Sequence, residues 1–179
     1  MINLKYKPTI ETRGERHLRK SGILMHISSL PSPHGIGTMG KAARDFVDFL
    51  QESGQSYWQI LPICPTSYGD SPYQSYSAFA GNPYFIDLDE LKNMGLLEAK
   101  DYEDVDWEST DEKVNYGVLY EKRYPILQKA AIKFLDKPSE EFEKFCKENE
   151  EWLPEFALFM ALKDVHEGMQ WSEWKEEYR

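Results

Sequence analysis

The sequence predicts an α/β fold organised on a parallel sheet. Two short apolar runs of strand length, Gly22–Ile27 and Ser56–Leu61, flank one amphipathic helical pattern, and a Gly- and Pro-rich break follows each run. Strand–helix–strand of these lengths is a βαβ unit, whose right-handed crossover makes the two strands parallel.

Each element has a local reason. Gly22-Ile23-Leu24-Met25-His26-Ile27 is almost continuously apolar, as in a strand buried on both faces. Ser28 to Gly37 holds Pro31, Pro33, Gly35 and Gly37, which excludes regular structure. A helix fits Met39 to Ser53, because Met39, Ala42, Ala43, Phe46, Val47 and Leu50 recur at three- and four-residue steps. Thr38 is placed to cap its start and Gly54 to close its end. Pro62 stops the second strand. Asp87 to Met94 reads as a short helix closed by Gly95. Leu96 to Lys113 is acidic with few apolar residues and reads as a surface connection. Val114 to Leu135 reads as a longer helix, with Val118, Leu119, Ile126, Leu127, Ala130, Phe134 and Leu135 facing the core and Pro125 kinking or splitting it. Pro138 and Ser139 open a segment expected to bury Phe142, Phe145 and Cys146. Pro154 suits the first turn of a helix carrying Phe156, Ala157, Met160 and Ala161.

Charge divides the chain. Its 21 Lys/Arg and 31 Asp/Glu give a formal net charge of −10. Residues 1–84 carry +2 of this and residues 85–179 carry −12. An acidic surface argues against nucleic acid or an anionic membrane as the main partner. No apolar run approaches a membrane span, and Met1 to Lys20 lacks the apolar core of a secretory signal, so a cytoplasmic location is expected. Cys64 and Cys146 suggest neither a metal knuckle nor a disulfide framework. His17, His34 and His166 have no partner at metal spacing and read as surface or loop residues.

The segment LPICPTSYGDSPYQSYSAFAGNPYFID, Leu61 to Asp87, carries the strongest functional signal. Loops of this length without regular structure usually serve as lids or binding loops. Here Tyr68, Tyr73, Tyr76 and Phe79 alternate with Asp70, Ser71, Gln74 and Ser77. Flat aromatic faces cover the C–H face of a pyranose, and short polar side chains meet its hydroxyls. Both long loops also leave the carboxyl ends of strands, where ligands bind in parallel α/β folds. The competing reading is a Tyr- and Pro-rich loop packed on its own fold. His26 sits in an apolar run, the setting of a core histidine, but at a strand end on the inner face it would reach substrate. Gly35-Ile36-Gly37 fits no phosphate-binding glycine pattern. Asp70 is the only carboxylate inside the aromatic loop, and glycosidic chemistry needs two carboxylates across a pocket.

The runs Arg19-Lys20-Ser21-Gly22-Ile23-Leu24-Met25-His26, Ser29-Leu30-Pro31, Gly35-Ile36-Gly37, Trp58-Gln59-Ile60-Leu61-Pro62, Pro65-Thr66, Gly69-Asp70-Ser71-Pro72-Tyr73-Gln74 and Ser77-Ala78-Phe79-Ala80-Gly81-Asn82-Pro83 resemble, in order and spacing, the 4-alpha-glucanotransferase (amylomaltase, disproportionating enzyme) family. The resemblance covers residues 19–92 closely and the helical half by pattern. It implies a (β/α)8 TIM barrel with a helical subdomain inserted beside it. Residues 1–90 would begin the barrel and 91–179 would belong to the helical part. A complete barrel of this type takes about 250 residues, so the expectation is an N-terminal portion with an incomplete barrel. The helix-like Trp171 to Arg179, which carries no stop signal, fits that expectation.

What the resemblance implies about chemistry is transfer of α-1,4-glucan segments by a retaining double displacement, with an Asp nucleophile and a Glu acid/base. In the family those carboxylates lie on later strands, so no catalytic residue is assigned here and they are expected beyond Arg179. The matching Ser71 and Tyr73 would line donor subsites, and Tyr68 would lie near a secondary glucan contact. Asp70 would shape the loop at the substrate site, and His26 would help build the pocket floor. The implied partners are maltooligosaccharides, starch or glycogen, with no metal or organic cofactor. A non-catalytic α-glucan-binding module is the alternative.

Overall fold

The computed structural model describes residues 19–178, so His17 and most of the basic N-terminal stretch lie outside it. Its elements are β1 (Gly22–Leu24), α1 (Lys41–Glu52), β2 (Tyr57–Gln59), α2 (Leu88–Asn93), α3 (Tyr116–Val118), a π-helical turn (Leu119–Arg123), α4 (Tyr124–Leu135), α5 (Glu140–Glu148) and α6 (Leu153–Val165). Single 3-10 turns stand at Ile27–Ser29, Pro83–Phe85, Ala99–Asp101, Trp171–Glu173 and Glu176–Tyr178.

β1 and β2 pair in parallel, Gly22 opposite Tyr57 and Leu24 opposite Gln59, with α1 as the crossover. Gly22 lies so close to this partner that an added Cβ would fall 2.6 Å from the Tyr57 carbonyl oxygen. The strands are shorter than the apolar runs. After Met25 the chain tightens into the 3-10 turn Ile27–Ser29, which sends Ile27 into the core. The expected burial of β1 on both faces is not found: Leu24 is 57% exposed, because among the described residues a two-stranded sheet has nothing to cover that face.

α1 starts two residues later than the pattern suggests. Its N-cap is Gly40 without a side-chain cap, while the Thr38 hydroxyl donates to Asp87 instead. Gly54, at φ +67°, ends it in the left-handed conformation. Phe46 packs edge-on against Trp58 at 5.0 Å, joining the helix to the sheet. α2 begins at Asp87, whose carboxylate accepts the Glu90 N–H at 2.9 Å, and Gly95 follows at φ +75°.

The core gathers Ile27, Leu30 and Ile36 from the first loop, Tyr84 and Phe85 from the second, Leu88 from α2, and Leu119, Ile126, Leu127 and Ala130 from the helical half. It also takes Leu97, Tyr102 and Trp107 from the segment expected to be a mere surface connection. Five-residue spacing matches neither helix nor strand periodicity, which hides these anchors from a pattern search.

Pro125 neither breaks the long helix nor leaves it regular. It lacks an N–H and its ring crowds the carbonyl one turn back, and the chain answers with the π-helical turn just before it. Farther along, Leu135, Phe145, Ala157 and Ala161 are exposed rather than buried, while Phe142 and Phe156 are half-buried. α5 meets α4 through Phe142 on Phe134 at 5.2 Å, and α6 meets the final stretch through Phe159 and Trp174 at 5.6 Å.

Two histidines expected at the surface are buried. His34 lies edge-on against Tyr102 at 4.9 Å, with Nε2 3.4 Å from an Asp89 carboxylate oxygen. His166 stacks on Trp174 at 5.0 Å and donates from Nδ1 to the Leu162 carbonyl at 2.7 Å. The final stretch, expected as helix, forms two 3-10 turns.

Candidate functional site

The carboxyl ends of β1 and β2 are pinned together. The Met25 N–H donates to the Gln59 carbonyl at 3.0 Å, and the Trp58 indole donates to the Met25 carbonyl at 2.7 Å. Both cleft loops start from this point.

Between them lies a cavity of about 150 Å³, walled by His26, Ser29, Leu61, Thr66, Asp70 and Tyr116, with Pro72 and Phe85 also reaching it. This is smaller than the ~300–1,000 Å³ that encloses a drug-sized ligand. Two pockets of backbone geometry aim Asp70 here. Gly69 stands at φ +90° and Asp70 at φ +54°, and the Asp70 N–H donates to the Ser67 carbonyl at 3.0 Å. A small bridge between Thr66 and Ser75 closes the loop, so the segment is not structureless. Burial raises the Asp70 carboxyl above its ordinary value, and a hydrogen bond from Thr66 opposes that rise.

His26 packs edge-on against Phe85 at 5.3 Å, and burial lowers its pKa below the ordinary imidazole value. Its Nδ1 is buried without a hydrogen-bond partner. The ring thus lines the cavity while its Nδ1 is turned into the protein.

The remaining expected residues lie outward of this floor. Ser71 sits between Asp70 and Pro72, and its Oγ accepts the Tyr73 N–H at 3.3 Å. Tyr73 is 74% exposed and Tyr68 96% exposed, and neither walls the cavity. A 3.1 Å backbone bond from Gln74 to Ser71 closes the turn that carries Tyr73. Tyr76 and Phe79 pack toward α6: Phe79 stacks on its N-cap Trp152 at 5.6 Å and Tyr76 meets Phe159 at 6.1 Å.

Among the lining residues, Thr66, Asn82 and Tyr116 were not candidates from the sequence. Thr66 and Asn82 do lie inside the recognised runs; Asn82 caps the Pro83–Phe85 turn by accepting the Tyr84 N–H at 3.0 Å. Tyr116 arrives from the helical half, far along the chain, with its hydroxyl pKa raised by burial and hydrogen-bonded to Ser28. No local signal marks it. Among the described residues no three His, Cys, Asp or Glu side chains are grouped to hold a metal ion, and no helix is long and apolar enough to cross a membrane.

The family profile described as 4-alpha-glucanotransferase matches residues 25–179. A 4-alpha-glucanotransferase of Streptococcus pneumoniae is 54% identical over 159 residues, covering 88% of this chain and 32% of that protein. One from Thermus thermophilus is 47% identical over 160 residues, covering 87% and 31%. The solved amylomaltase from Streptococcus agalactiae in complex with acarbose superposes with a TM-score of 0.84 at 46% identity, over 89% of this chain and 32% of that one. The chain thus spans about a third of the length of the relatives it matches. By its profile match, its sequence identity and its fold, the chain belongs to the 4-alpha-glucanotransferase family.

Proposed function

We propose that these residues form the donor-side wall of the glucan cleft in a 4-alpha-glucanotransferase that exchanges α-1,4-glucan segments between maltooligosaccharides or starch chains. The reading is a retaining double displacement in which a glycosyl-enzyme is captured by a sugar hydroxyl instead of water. The Asp and Glu of that chemistry come from barrel strands outside these 179 residues. Residues 1–90 contribute the opening of the barrel and 91–179 an acidic helical subdomain beside it, in a cytoplasmic enzyme.

One observation supports the reading: Asp70 and Pro72 of the Gly69–Gln74 turn line the cavity near the carboxyl ends of both strands, and the neighbouring Tyr73 is largely exposed. Tyr73 offers its ring to the apolar face of a glucose, Ser71 offers its hydroxyl to that sugar, and Tyr68 stacks on a glucan farther out. Asp70 keeps the turn in shape and accepts from a sugar hydroxyl, and His26 closes the floor. The acarbose complex of the Streptococcus agalactiae amylomaltase supports a sugar in this family's cleft.

A graft tests it. Residues 25–178 placed into that amylomaltase, in exchange for the matching segment, should leave an enzyme that converts maltotriose to glucose and longer maltooligosaccharides. A folded graft that binds maltooligosaccharides without converting them would favour a non-catalytic glucan-binding module instead.

A further inference from the structure

We propose that Arg123 is a positioning residue for glucan binding, a fork that holds the two loops of the cleft at a fixed separation. The proposal rests on the functional reading above, because those loops are the donor-side wall.

The side chain of Arg123 is completely buried, at 0% exposure. Its Nη1 donates to the His34 carbonyl at 3.0 Å and its Nη2 to the Ile86 carbonyl at 2.7 Å. His34 lies in the loop that follows β1, and Ile86 ends the loop that follows β2. One rigid planar group therefore spans both. A guanidinium presents its N–H groups in a fixed fork, whereas a lysine ammonium is a point donor that cannot hold two carbonyls at set spacing. The guanidinium also lies 5.8 Å from the centre of the Trp107 ring. Trp107 in turn backs the first loop so closely that a Cβ added to Gly35, at φ +83°, would fall 2.9 Å from its Cβ. Arginine, tryptophan and glycine thus form one stack behind the loop.

Stability alone is a poor reason for this cation. Among the described residues no carboxylate lies within ion-pair distance of it, Asp87 favours its charge only from farther away, and its Nε is buried without a partner. A buried charge held this way is costly, and an apolar side chain of similar volume commonly serves a fold as well or better. The helix also departs from regular form at this residue. The π-helical turn Leu119–Arg123, which accommodates Pro125, ends on Arg123. The carbonyls that Arg123 holds belong to both cleft loops, which makes the spacing of those loops the property it sets.

A backbone reporter sits nearby. The Met39 N–H donates to the Phe85 carbonyl at 2.9 Å, a second join between the same loops. In the 179-residue chain, hydrogen exchange is measured for Arg123→Lys and Arg123→Gln, so that either variant decides if the other does not fold. Amides of residues 34–39 and 82–87 should exchange about tenfold faster while those of α6 hold their rate. No change at the loops, or an equal rise in α6, would overturn the proposal. In the graft described above, Arg123→Lys should raise KM for maltotriose about threefold or more and leave kcat within about twofold. Loosened loops with an unchanged KM would reduce Arg123 to a structural part and overturn its positioning role. An unsubstituted graft without activity would strike the functional reading alone, because the exchange measurement reads the fork without turnover.

Discussion

Trp58 donates its indole N–H to the carbonyl of Met25 at 2.7 Å, across the carboxyl ends of two parallel strands that are each three residues long. Regular pairing is so brief that this side-chain bond does part of a ladder's work. Its ring also packs on Phe46 of α1, so sheet, crossover helix and the start of both cleft loops meet at one residue.

Trp58→Phe keeps an aromatic ring against Phe46 and removes the donor. The expected loss is about 1 kcal/mol for the hydrogen bond plus a smaller packing cost. Urea unfolding followed by far-UV dichroism measures it. An unchanged midpoint would mean that the Met25 carbonyl finds water at no cost.

The fully buried Tyr102 donates its hydroxyl to Asp89 at 2.7 Å, and this bond holds the Asp89 carboxyl below its ordinary value, with His34 adding to the effect. A depressed folded-state pKa contributes stability above the unfolded value of about 3.9, and that contribution fades as pH falls through the folded value. Tyr102→Phe should therefore cost about 1 kcal/mol at pH 7 and progressively less in acid. The Asp89 carboxyl should also titrate higher in the variant, which a carbon-detected NMR titration would show.

His26 has the opposite chemistry and the same slope. Burial lowers its folded-state pKa, so the unfolded chain binds the extra proton between the two values. The stability from the neutral ring is complete above the unfolded pKa of about 6.5 and is lost as pH falls toward the folded value. His26→Gln should flatten the stability profile as pH falls through about 6.5 and below, relative to the parent chain. Parallel profiles from urea midpoints would contradict this.

Tyr73 should matter for binding more than for folding. In the graft, Tyr73→Ala should lower kcat/KM for maltooligosaccharides by about tenfold or more while leaving the unfolding midpoint nearly unchanged, since the ring is largely exposed. The unsubstituted 179-residue chain should itself produce no glucose from maltotriose. Product from that chain would show that the catalytic pair lies within it.

The βαβ unit was legible because each part announces itself locally. Strand runs, a helical stripe and Gly54 all depend on neighbours within a few residues. The Gly69–Gln74 turn was legible through its residues, although not its left-handed Asp70, which only geometry reveals. Illegible parts share a cause: they depend on distant partners. His34 looked like a loop histidine until Tyr102 and Asp89 closed over it. Leu97, Tyr102 and Trp107 are lost among carboxylates, and Tyr116 reaches the cavity from beyond α2 and the acidic connection. Pro125 signalled a disruption, but whether a helix kinks, splits or takes a π-helical turn depends on what its neighbours hold in place.

The two-stranded sheet has a practical consequence at the bench. Among the described residues β1 and β2 are both edge strands, and Leu24 and Tyr57 expose side chains beside them. Edges of this kind template further pairing between molecules. Preparations of the 179-residue chain should therefore self-associate as they are concentrated, with light scattering that rises steeply at high protein. A lysine placed at Leu24 should suppress that association, and would give a cleaner sample for every measurement above.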